Sequence, residues 1–384
     1  MLLKIIPINY YSFSFFTTFN ENSKSSIFWD MQNFLHYLKC NSGESEYSYR
    51  FLGEILPCPE TIGYGLMTEY ILISSLDIWE STLTISIIFL LTCLLYILFS
   101  QNNIMFKIVI LVSPGFHFLI YSLNTDVFVL LFIFYILKKS TEFEYIFKLL
   151  MLSIITQIKS YTAFIFLGLL GKSMHLKKYG TAKIEIMFIF INFSLIIFHY
   201  FINKSLLPEP ISFTRSFGVL HDYKLLTEYI GFDEAMFLIL FTIFIVLLYR
   251  KKIINFVNRI DLTNNNIKNK LMILMPLCLF INLYQNWGYK FVFNSLVIYL
   301  LFESTKNQYF KFYLLLVNLS ATTYYSIGWG FENNLLNLII ISISKFTFYS
   351  YFFLMVLVCY RLYKKLFMIN NWYPLFRNIG NSNV

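Results

Sequence analysis

Residues 113–137 read SPGFHFLIYSLNTDVFVLLFIFYIL. The stretch is apolar apart from Ser-Pro at its front and Asn124, Thr125 and Asp126 at its centre. Each flanking apolar run has helical length, so the polar trio predicts a turn between two helices. A carboxylate in or beside a bilayer costs roughly 2.5–3.5 kcal/mol on insertion scales, and it usually faces a partner or a cavity. The plainer role is that Asp126 caps the following helix, where the macrodipole favours an acid.

The rest of the 384-residue chain repeats this texture. It is 58% hydrophobic, 20% aromatic and only 13% charged. Such a chain is expected to be an integral, multi-pass membrane protein, because helices alone satisfy every backbone group within lipid. The fold class expected is all-α, a single polytopic transmembrane domain over 1–384. About twelve spans are expected, at 4–20, 79–99, 104–121, 124–137, 145–158, 160–171, 183–203, 233–250, 271–285, 289–302, 310–327 and 335–360. Spans 145–158 and 160–171 are short enough to be half-helices meeting at a break.

The formal charge of +9 suggests nucleic acid only until the basic residues are located. With the N-terminus inside, the cytoplasmic segments and Lys4 hold 21 of the 30 Lys and Arg residues, among them the segment RKKIINFVNRIDLTNNNIKNK at 250–270. That is the positive-inside bias, and it puts both termini in the cytoplasm. The outer face then receives two long loops, 21–78 and 204–232, and the polar interruptions at Asp30, 124–126, 157–161, 204–232 and 284–291.

The first outer loop opens with SSIFWDMQNFLHYLKC, where Phe28, Met31, Phe34, Leu35 and Leu38 recur at helical spacing, as in an amphipathic interfacial helix. Asp30 stands at its start. Cys40 and Cys58 are disulfide candidates in an oxidising compartment, where such a bridge contributes about 3 kcal/mol. Cys93, Cys278 and Cys359 fall in spans and read as small apolar filler. No Walker A, GxGxxG, HExxH or paired CxxC pattern occurs, which weighs against soluble nucleotide-binding and zinc-dependent domains.

Taken in order, Asp30 with CNSG and PCPETIGYG, then SPGFHFLIYSLNTD, IKSYTAF and NWGYKF, resemble motifs of the multi-spanning GT-C glycosyltransferases. The chain is similar in particular to the family 87 mannosyltransferase-like proteins and their bacterial relatives. It departs from them at Ser122-Leu123, where those relatives carry Arg-Gly, at Gly65 or Thr162 in place of Pro, and at Gly288 and Lys290 in place of an acid and Arg. Lys keeps the charge but loses the bidentate fork that suits phosphate.

The resemblance implies a hexosyltransferase in the bacterial inner membrane that moves a sugar from a polyprenyl-phosphate donor to a lipid or glycan acceptor on the outer face, in cell-envelope polysaccharide or glycolipid synthesis. Asp30 is then the catalytic base. Lys159, Arg215 and Lys290 are outer-face cations suited to the leaving phosphate. Asn124, Asp126, Tyr161, Asn286 and Tyr289 complete the expected substrate-binding set. Oxygen ligands there suit Mg or Mn, and whether a metal takes part is left open.

Two other classes fit the same spans. A lipid-linked sugar flippase or secondary transporter would carry ionisable groups near the midplane and loops of similar size on both faces. A polysaccharide polymerase would carry a large, late, Arg-rich outer loop, whereas 204–232 holds Arg215 alone.

Overall fold

Helix dominates wherever the chain is described. The structure, a computed structural model, describes residues 49–51, 54–56, 78–99, 103–113, 115–116, 119, 126–203, 216–217, 248, 250–283, 286–287, 290–320 and 335–364. In chain order these form β1 (Tyr49–Phe51), β2 (Glu54–Leu56), α1 (Ile78–Phe99), α2 (Ile104–Leu111), α3 (Asp126–Ile136), α4 (Glu142–Ile158), α5 (Ala163–His175) and α6 (Tyr179–Asn203). There follow β3 (Ser216–Phe217), α7 (Arg250–Asn258), α8 (Asn265–Leu283), β4 (Asn286–Trp287), α9 (Phe291–Glu303), α10 (Gln308–Ser320) and α11 (Leu335–Tyr363). The strands form two short antiparallel pairs, β1 with β2 and β3 with β4.

Among the described residues, three stretches are long and apolar enough to cross a membrane, namely Tyr179–Phe198, Asn265–Leu283 and Phe346–Tyr363. The expected spans at 4–20 and most of 233–250, and the interfacial helix near Asp30, lie outside the described residues. The span expected at 104–121 is not one continuous helix. Asn103 caps α2 by accepting from the Met105 N–H, and α2 stops at Leu111. The residue before a proline is driven out of the α region, so Pro114 in the sequence keeps Ser113 from extending the helix. A second difference is α7, which forms inside the basic segment read from sequence as a loop.

The chain divides into two units, Met1–Thr162 with Asn192–Pro210, and Ala163–Ile191 with Ile211–Val384. In the first, α3 is the interior helix and buries Val127, Val129, Leu130, Phe132, Ile133, Phe134 and Ile136. Tyr96 of α1 stacks on Phe134 with ring centroids 4.8 Å apart. A capping box starts α4, with the Glu144 N–H donating to Thr141 Oγ1 and the Thr141 N–H donating to the Glu144 carboxylate. The opposite side of α1 carries Ile88, Leu91, Leu95 and Leu98, all exposed and three or four residues apart. Such an outward apolar stripe suits lipid, whereas in water it would be an aggregation liability.

In the second unit α8 is central. It packs on α5, α9 and α11, and Leu271 to Met275 are all buried. Gly168 permits the approach of α5, since a Cβ there would overlap the backbone of Ile273. Small residues at a helix crossing let backbones come this close. Polar pairs stitch the same bundle. Asn282 and Asn294 exchange two amide hydrogen bonds of 2.8 and 3.0 Å, and Ser295 Oγ donates to Asn318 at 2.7 Å.

Candidate functional site

The site is built where α4 ends. Its backbone leaves the helix at Lys159, with φ −129° and ψ 86°, after the Lys159 N–H has donated to Ile155 O. A 3-10 turn over Ser160–Thr162 follows before α5 starts at Ala163. Side chains hold this break in place. Thr162 donates both its N–H and its hydroxyl to Lys159 O, at 3.0 and 2.9 Å. With that hydroxyl proton committed, the 3.0 Å contact between the Thr156 and Thr162 hydroxyls has Thr156 as its donor. The expected junction of two short helices is therefore present, with its break at residues 159–162.

Lys159 leaves the turn towards α3. Its ammonium lies 3.4 Å from the Asp126 carboxylate; Asp126 is fully buried and the Lys159 side chain is 11% exposed. Asp126 is the first residue of α3, so it lies in the positive end of the helix dipole as well as beside a cation. The helix-dipole placement and the ion pair thus coexist. Tyr161 is buried within the same turn. Two motifs 33 residues apart in sequence, the one ending at Asp126 and the one holding Lys159 and Tyr161, are brought into contact.

A polar ladder extends inward from the break. Gln157 Nε2 donates to Asn192 Oδ1 at 3.0 Å, Asn192 Nδ2 donates to Ser153 Oγ at 2.9 Å, and Ser153 Oγ donates to Leu149 O at 3.0 Å. Asn192 belongs to α6 and is fully buried. Ser153, Thr156 and Asn192 carry no expected role, yet the first two signal themselves, since Ser153, Thr156 and Gln157 recur three and four residues apart on one face of α4.

The remaining expected site residues divide by location. Asn286 lies in β4, which pairs antiparallel with β3 in the register Ser216↔Trp287 and Phe217↔Asn286. The segments 204–232 and 284–291 are thereby joined within the second unit. Lys290 is the N-cap of α9, where its backbone takes helical angles and its side chain makes no capping hydrogen bond. Asp30, Cys40, Cys58, Asn124, Arg215 and Tyr289 lie outside the described residues. Among the described residues no group of three or more His, Cys, Asp or Glu side chains gathers, so they offer no ready ligand set for Mg or Mn. The chain matches no family model, no curated protein and no solved structure.

Proposed function

We propose that the protein is a multi-pass membrane glycosyltransferase of GT-C type, taking its sugar from a polyprenyl-phosphate donor. The observation that carries this reading is the 3.4 Å pairing of Asp126 with Lys159 at the break between α4 and α5. It supports the reading because it joins two of the four segments on which the GT-C resemblance rests. The β3–β4 pairing adds a second junction of expected outer-face segments. A largely enclosed lysine held by a carboxylate is poised by that partner in one position, and a fixed cation is what a departing phosphate needs.

In this reading the acceptor oxygen attacks the anomeric carbon as the bond from that carbon to the phosphate oxygen breaks. The acceptor proton passes to the Asp30 carboxylate, and Lys159 takes up the charge that develops on the departing lipid phosphate. Asp126 is a positioning residue that fixes the Lys159 ammonium. The bacterial inner membrane and an outer-face site belong to the same proposal.

The test is sugar transfer by the purified chain with a panel of polyprenyl-phosphate sugars and membrane lipid acceptors. Loss of a positioned general base lowers turnover about 10²- to 10⁴-fold, which is the effect expected of Asp30→Asn with the unfolding midpoint unchanged. Lys159→Arg is expected to keep part of the activity, because it retains the cation. No transfer with any donor, accompanied by movement of lipid-linked sugar across reconstituted vesicles, would replace this reading with a transporter.

A further inference from the structure

In the second unit α7 and the loop after it are packed against the ends of three other helices. The loop after α7 is tied to the end of α9 by the Asp261 N–H donating to Ser304 O at 2.6 Å. The end of α11 is tied to α7 by the Arg361 guanidinium, which donates to Val257 O and, at 3.0 Å, to Ile260 O. Phe256 of α7 stacks on Phe310 of α10, centroids 5.2 Å apart. The helix therefore lies over the ends of α9, α10 and α11, with Val257 and Ile260 buried beneath it.

Its outer side is basic. Arg250, Lys251, Lys252 and Arg259 are all exposed, and so are the neighbouring Lys306 and Lys364. Two large apolar side chains stand out among them, Leu248 at 64% and Ile254 at 41% exposure. A positive-inside bias alone requires charge in a loop but does not require an amphipathic helix with protruding aliphatic groups. Cations beside an exposed aliphatic on one helix, here Ile254 with Leu248 just before the helix, are the pattern of a segment lying in the bilayer interface.

We infer that α7 and the helix ends beneath it form a docking surface for the phosphate headgroups of anionic phospholipids in the adjoining leaflet. Two of the membrane-length stretches end here, Asn265–Leu283 at its first residue and Phe346–Tyr363 at its last. With those stretches across a bilayer, α7 falls at headgroup depth, where Leu248 and Ile254 reach the upper acyl region. The inference rests on the membrane reading and is independent of any transferase activity.

The test exchanges the purified full chain into mixed micelles holding equal amounts of phosphatidylcholine and phosphatidylglycerol, then measures by mass spectrometry the lipids it retains. Retention enriched in phosphatidylglycerol is expected, falling as sodium chloride is raised, a series that needs no variant. Arg250→Gln and Lys251→Gln are each expected to lower the enrichment about fivefold, while Lys251→Arg keeps it. The variants' unfolding midpoints should match the wild type, since both side chains are exposed. Equal retention of the two lipids, or enrichment unchanged in the double Gln variant, would overturn the inference. Displacement of phosphatidylglycerol by millimolar inorganic phosphate would overturn it too, by assigning the surface to a free anion.

Discussion

Tyr363 Oη donates to the carbonyl oxygen of Met272 at 2.5 Å, and Met272 stands four residues before Pro276 inside α8. Proline has no N–H, so it withdraws the donor that Met272 O would receive in an uninterrupted helix. The phenol of α11 supplies a replacement in a buried position, where an acceptor left unmet costs about 1–3 kcal/mol. Tyr363→Phe is accordingly expected to lower stability by that amount. In a Pro276→Ala background the same change should cost much less, because the restored N–H at 276 takes over the carbonyl. Unfolding of the four proteins in detergent measures the difference, and equal losses in both backgrounds would refute the compensation.

The Asp126–Lys159 pair predicts a different pattern. Removing one member of a buried ion pair strands the other, at a cost of about 3–5 kcal/mol, whereas apolar replacement of both is often neutral. Asp126→Leu is therefore expected to be more damaging to folding than the double variant Asp126→Leu/Lys159→Met. A double variant as unstable as the sum of the two single changes would mean that the two groups do not interact.

Gly168 and Gly180 give opposite expectations for the same substitution. A Cβ at Gly168 would overlap the Ile273 backbone, which cannot rotate away as a side chain can, while one at Gly180 meets open space. Gly168→Ala should cost about 1–3 kcal/mol through overpacking, exceeding the roughly 1 kcal/mol that alanine returns in helix propensity. Gly180→Ala should be neutral or stabilising. Melting of the two variants against wild type decides this directly.

Much of the fold is legible from sequence because lipid imposes one rule on long apolar runs, and α1, α3, α4, α6, α9, α10 and α11 begin within a few residues of the spans read for them, while α8 begins six residues earlier. What misled were local signals outvoted by neighbours. RKKIINFVN looks like a cytoplasmic loop because its charges dominate, yet Phe256, Val257 and Ile260 have an apolar shelf to pack on, and that shelf exists only once α10 and α11 are in place. The run at 104–121 looks continuous because apolar content outweighs Pro114 in any averaged reading. At the site, the polarity of Asp126 and Lys159 was visible but their contact was not, since no periodicity links residues on different helices. Asn192 was missed for the same reason, being one amide in the apolar run of α6 whose partners Ser153 and Gln157 lie on α4.

The exposed carboxyl of Asp261 carries the last prediction. The hydroxyl and the backbone N–H of Thr263 both donate to Asp261 Oδ1, at 2.6 and 2.9 Å. These two bonds, assisted by the charges of Lys306 and Arg361, hold its carboxyl below the ordinary aspartate range. A depressed folded value means that the unfolded chain binds the proton more readily, so the stabilisation is complete above the ordinary aspartate pKa and disappears as pH falls through the folded value. Asp261→Asn should therefore lower the unfolding midpoint at about pH 7, and the difference should shrink as pH falls below the ordinary aspartate pKa. The hydroxyl bond is the largest cause, so Thr263→Val, which removes it and keeps the backbone N–H, should reproduce a larger part of this loss than molar salt, which screens only Lys306 and Arg361. If salt abolished the difference between wild type and Asp261→Asn while Thr263→Val left it intact, the depression would belong to the surrounding cations and not to the turn.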